Sequence, residues 1–100
     1  MNKSNAGTWE SACRDKCMEL ADLLISKQHD YGKANITDFG EMGVVVRMND
    51  KFARIKNLVK SGIDPIHEAL ADTYDDIAGY AILARMVRDG TFDLPYGEKE

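Results

Sequence analysis

The chain has 100 residues, 44% of them hydrophobic and 30% charged, with a formal net charge of -4 and two prolines. That length makes one domain with a real but thin core, burying roughly two-thirds of its unfolded surface, so assembly with copies of itself is expected. The acidic balance excludes the broad basic footprint of a protein that grips duplex DNA or RNA, and no run approaches the ~18 apolar residues of a membrane span.

In chain order, residues 1–7 read as a flexible N-terminus without the apolar stretch of a secretory signal, which predicts a cytoplasmic protein. Thr8 can cap a first helix over about 8–27. Trp9, Cys13, Cys17, Leu20 and Leu24 recur at helical steps along one face, widened by Ala12, Ala21 and Ile25. Cys13 and Cys17 read as two free, small helix residues, because a structural zinc needs about four ligands and His29 and His67 supply no fitting pattern.

From His29 to Gly40 the sequence HDYGKANITDFG shows no sustained period. It predicts a long first loop of functional type. Tyr31 and Phe39 within it offer an aromatic face on which a base could stack, a contact worth roughly 1–3 kcal/mol; packing into a small core is the equal alternative. The second helix is expected over 42–61, with Val45, Met48, Phe52, Ile55 and Val59 as its apolar stripe and Gly62 closing it.

The third helix, over 65–89, has the strongest start signal: Asp64 as cap and Pro65 at the first helical position. Ile66, Leu70, Thr73, Ile77, Tyr80, Ala81, Ala84 and Val87 trace its expected buried stripe, and Gly90 ends it. Residues 91–100 form a C-terminal tail whose Phe92, Leu94 and Tyr96 can dock on a neighbour. The fold class is all-α: three main helices in one domain over 8–90, completing a helical bundle by oligomerisation.

Glu68, Asp72 and Asp76 follow one another at four-residue steps on the third helix, with Asp75 among them. On a wheel of ~100° per residue they fall roughly opposite the expected apolar stripe. Like charges at this spacing each cost a helix a few tenths of a kcal/mol, and no Lys or Arg intervenes between Pro65 and Leu83. A plain solvated face is one reading. A strip neutralised by a cation is the other, and the cation could be the row Arg47, Lys51 and Arg54 on the second helix, with Asp50 beside it. It could also be Mg²⁺ or Mn²⁺ held by Glu68, Asp72 and Asp76. Combined, metal and guanidinium groups would make a phosphate pocket; salt bridges that merely join two helices are the competing reading.

Three stretches, KQHDYGKANITDFG, VVVRMNDKFARIKNL and HEALADTYDDIAGYAI, together resemble the nucleotide-modification-associated domain of phages and their hosts. The family's motifs fall on Lys27, Asp30, Tyr31 and Gly32; on Arg47, Asp50, Lys51 and Arg54; and on Asp72, Thr73, Asp76, Tyr80 and Ala81. The resemblance adds Lys27, with Tyr31, to the nucleotide-binding residues, and implies a phage protein acting in its bacterial host. More distantly the chain resembles the MazG-type all-alpha NTP pyrophosphatases, which use carboxylates on two helices to hold Mg²⁺. The second helix departs from their Glu-x-x-Glu pair, offering only Asp50 amid three cations.

Three functions follow. One is a protein that binds a phosphate-bearing nucleotide, with or without Mg²⁺-dependent pyrophosphohydrolysis in which Asp50 or Asp75 is the catalytic base. The second is a non-catalytic sponge that sequesters nucleotide-derived immune signals. The third is a structural helical module.

Overall fold

The computed structural model describes residues 7–62 and 69–97. They form four α-helices, α1 (Trp9–Tyr31), α2 (Ala34–Thr37), α3 (Gly40–Ser61) and α4 (Ala69–Asp89), and a 3-10 turn at Thr91–Asp93. The fold is all-α. It divides into two compact units, 1–33 and 34–100. The expected cap at Asp64 and the Pro65 start, with Ile66, His67 and Glu68, lie outside the described residues.

In the first unit, the Thr8 side chain accepts a hydrogen bond from the Ser11 amide at 3.1 Å and so satisfies one open N–H of the first turn. α1 extends one turn beyond the expected end at Lys27, and Gly32, at φ 78° and ψ 168°, closes it in a conformation open essentially to glycine alone. The expected apolar stripe holds in part: Leu20, Ala21 and Leu24 are half-buried, whereas Trp9, Cys13 and Cys17 are exposed and no side chain of α1 is fully buried.

The long first loop is corrected as well. His29 to Tyr31 continue α1, and Ala34–Thr37 wind into α2. A single helical turn is too short to show a period, so it reads as loop. What fixes α2 is Ile36, only 2% exposed, on an element packed against α3.

In the second unit α3 and α4 form an antiparallel hairpin. Glu41, at the start of α3, accepts from Arg88 near the end of α4, at 3.1 Å from Nη2 and 3.2 Å from Nε. Lys51 meets Asp76, and Arg54 meets Thr73. These pairs set a register in which Val44 stands opposite Leu83, two turns from Lys51 and Asp76. Val44 and Leu83 are 1% and 3% exposed. With Ile36 and Phe92, which is buried where the 3-10 turn packs on α4, they make the apolar core, each worth roughly 1.5–3 kcal/mol.

The expected stripe of α3 is therefore rotated. Val45, Phe52 and Val59 are exposed, whereas Val44 is buried and Met48, Lys51, Ile55 and Leu58 are half-buried. On α4 the correction is similar: Ala81 is exposed and Leu83, left off the expected stripe, is buried. Gly62 closes α3 at φ 69°, as expected.

At its end α4 places the Asp89 carboxylate where the helix dipole disfavours negative charge. The Thr91 hydroxyl donates to it at 2.6 Å and the Thr91 amide at 3.0 Å. These bonds, the hydroxyl's foremost, hold the Asp89 carboxyl below its ordinary pKa despite the dipole.

Gly43 sits one turn after Phe39, and a Cβ there would overlap the Phe39 Cβ. Gly43→Ala, which in an open helix would add about 1 kcal/mol, is expected to remove about 1–3 kcal/mol here, read as a lower urea midpoint at unchanged slope.

Candidate functional site

Arg47, Lys51 and Arg54 follow at steps of four and three along α3, rising ~6 and ~4.5 Å on one side of the helix. With Asp50, and with Tyr80 of α4, they line a pocket of about 410 Å³. That is within the roughly 300–1,000 Å³ of small-molecule sites. Its walls are unusual for such a site in being mainly charged, with three cations against one carboxylate.

Each cation is held differently. Lys51 Nζ lies 3.0 Å from Asp76 Oδ2, with the two side chains 31% and 23% exposed. On helical wheels Lys51 falls about 20° from the line of Val44, and Asp76 about 20° from that of Leu83. The ion pair thus occupies the seam of the hairpin, two turns along from the apolar pair. Arg54 Nε donates to Thr73 Oγ1 at 3.2 Å, and Thr73 is 2% exposed. One guanidinium N–H is used there, and the fork keeps others. Arg47 Nη2 donates to the Asn35 carbonyl at 3.3 Å, and its guanidinium carbon stands 5.9 Å from the centre of the Phe39 ring, within cation–π range.

The acidic strip is split. Asp76 faces α3, on the packed side rather than opposite it, while Asp72 and Asp75 are exposed. Glu68 lies outside the described residues. Asp50 is exposed yet lines the pocket. Lys27 and Tyr31 belong to α1 in the first unit, Lys27 half-buried and Tyr31 exposed.

These positions decide how well the described residues suit a divalent cation. Mg²⁺ or Mn²⁺ wants several oxygen ligands, carboxylates among them, at close range. Among the described residues no three His, Cys, Asp or Glu side chains come together to hold one, and Asp76 already faces the Lys51 ammonium. Of the three expected ligands, Asp76 is thus engaged by Lys51, Asp72 is exposed and Glu68 lies outside the described residues.

Thr73 and Tyr80 are where a purely hydrophobic reading falls short. Both sit on the expected apolar stripe of α4, yet one accepts from Arg54 and the other lines the pocket. The available signal was their hydroxyl groups, at core positions of a helix facing a cationic row. Chemically the arrangement suits an oxyanion: planar guanidinium forks for paired oxygens, an ammonium between them, and an aromatic ring beside them.

A model of the family described as nucleotide modification associated domain 1 matches residues 27–87. The match spans more than half of the chain, and the chain belongs to that family. No curated protein and no solved structure matches it.

Removing one partner of the Lys51–Asp76 pair takes the opposite charge away from a partly buried group. Lys51→Met and Asp76→Asn are each expected to lower stability by about 1–3 kcal/mol. The double variant should lose less than the two combined, leaving a coupling of about 1 kcal/mol that shrinks in high salt, measured by urea unfolding of the four proteins.

Proposed function

We propose that this member of the nucleotide modification associated domain 1 family binds a phosphate-bearing nucleotide in the pocket between α3 and α4. The observation that carries the reading is the convergence of Arg47, Lys51 and Arg54 on one pocket whose other walls are Asp50 and Tyr80. In this reading the two arginines take phosphate oxygens through their free N–H groups and Lys51 adds a point charge. Tyr80, across from Arg47, packs against the sugar or the base. The family's association with nucleotide modification supports the ligand class.

Binding is the form the geometry favours over hydrolysis. A MazG-like, Mg²⁺-dependent pyrophosphohydrolase would need Glu68, Asp72 and Asp76 gathered on an ion and Asp50 or Asp75 to act as base. Asp72 and Asp75 are instead exposed, and Asp76 is paired. A sponge for nucleotide-derived signals needs only the cations and the ring.

A panel of nucleoside mono-, di- and triphosphates tests this. A ligand at ~100 times its Kd should add about 2.7 kcal/mol of apparent stability, and Arg47→Ala and Arg54→Ala should abolish the thermal shift. No shift with any nucleotide defeats the reading, and nucleotide recovered cleaved would restore the hydrolytic one.

Self-association belongs to the same proposal. Val45, Phe52 and Val59, at steps of seven on α3, are 44%, 47% and 58% exposed. Such a row calls for a cover, and a second copy, joined about a two-fold axis, is the simplest one. Sedimentation equilibrium is expected to show a dimer that Phe52→Glu converts to monomer.

A further inference from the structure

We propose that Lys51 is the site's built-in counter-ion, so that the pocket takes its phosphate ligand free of any divalent metal. This rests on the nucleotide-binding reading and goes beyond it by fixing the ionic form of the ligand.

The argument starts from Asp76. Of the acidic strip, it is the described carboxylate that meets α3, where Lys51 Nζ, whose residue lines the pocket, stands 3.0 Å from its Oδ2. An ammonium at that distance takes the position that a metal-bridging carboxylate would give to the ion, and it repels a second cation. Nor is Lys51 a surface lysine that swings aside without cost. Its side chain is 31% exposed, and it lies in the seam in line with buried Val44.

The charges around the pocket complete the case. Arg47, Lys51 and Arg54 carry three positive charges; Asp50 and Asp76 carry two negative ones. A polyphosphate that arrives with its own Mg²⁺ has lost much of the charge to which these cations respond. A metal-free one keeps it. Asp50, exposed at the pocket wall, then acts against the ligand instead of serving as a metal ligand or a base, and neutralising it should strengthen binding.

The test is titration calorimetry of the full chain with ATP, the four deoxynucleoside triphosphates and inorganic triphosphate, each in EDTA and in excess Mg²⁺. The expected result is binding in EDTA at least as tight as in Mg²⁺. Asp50→Asn should tighten it several-fold. Lys51→Met should weaken binding in EDTA by about tenfold or more, whereas Lys51→Arg, which keeps the charge and guards against a folding defect, should retain it. Triphosphate bound only in the presence of Mg²⁺, or weakened by Asp50→Asn, overturns this inference and leaves the nucleotide reading standing. Absence of binding in both conditions removes the nucleotide reading and this inference with it.

Discussion

Lys51 and Asp76 meet in the seam of a helical hairpin, where an apolar pair would be the ordinary choice. Their charges are opposite, their atoms are 3.0 Å apart, and both side chains are largely but not wholly withdrawn from water. In such a place an unpaired charge is costly and a matched pair roughly breaks even. The pair therefore contributes little net stability by itself. What it provides is permission: with Asp76 neutralised, α4 can present an acidic residue to the packed side, and α3 can run three cations past it without leaving a buried charge unmatched.

The second unit depends on that permission for its division of labour. Near the Glu41–Arg88 end the hairpin is held by Val44, Leu83, Ile36 and Phe92, the buried hydrophobic residues among those described. Further along, the seam turns polar, through Arg47 and Tyr80, Lys51 and Asp76, then Arg54 and Thr73. Apolar packing and polar pairing are thus placed in successive layers of the same two helices. Thr73 belongs to both layers, since its buried hydroxyl orients Arg54 while its position is that of a core residue.

Much of this was legible in the sequence. Thr8 and Gly62 mark helix ends because their chemistry is local. The row Arg47, Lys51 and Arg54 is visible because spacing alone puts it on one side of a helix, and the three motifs that suggested the family fall within the matched stretch 27–87. The azimuth of each helix was not legible. Apolar residues surround most of α3, so a stripe that joins Val45, Phe52 and Val59 to Met48 and Ile55 looks as good as the true one, which keeps Met48 and Ile55 but takes Val44 and Leu58. Only the partner helix breaks the tie. On α4 the same ambiguity hid Leu83, and with it the fact that Asp76 lies on the packed line. The turn α2 was missed because four residues carry no period, and its anchor is a tertiary contact of Ile36.

The layering has a consequence for hydration. Along the hairpin water competes for the ions and hydroxyls of Lys51, Asp76, Arg54 and Thr73, but it gains nothing by entering at the level of buried Val44 and Leu83. Water can therefore exchange with the polar groups of the hairpin while the apolar level stays dry.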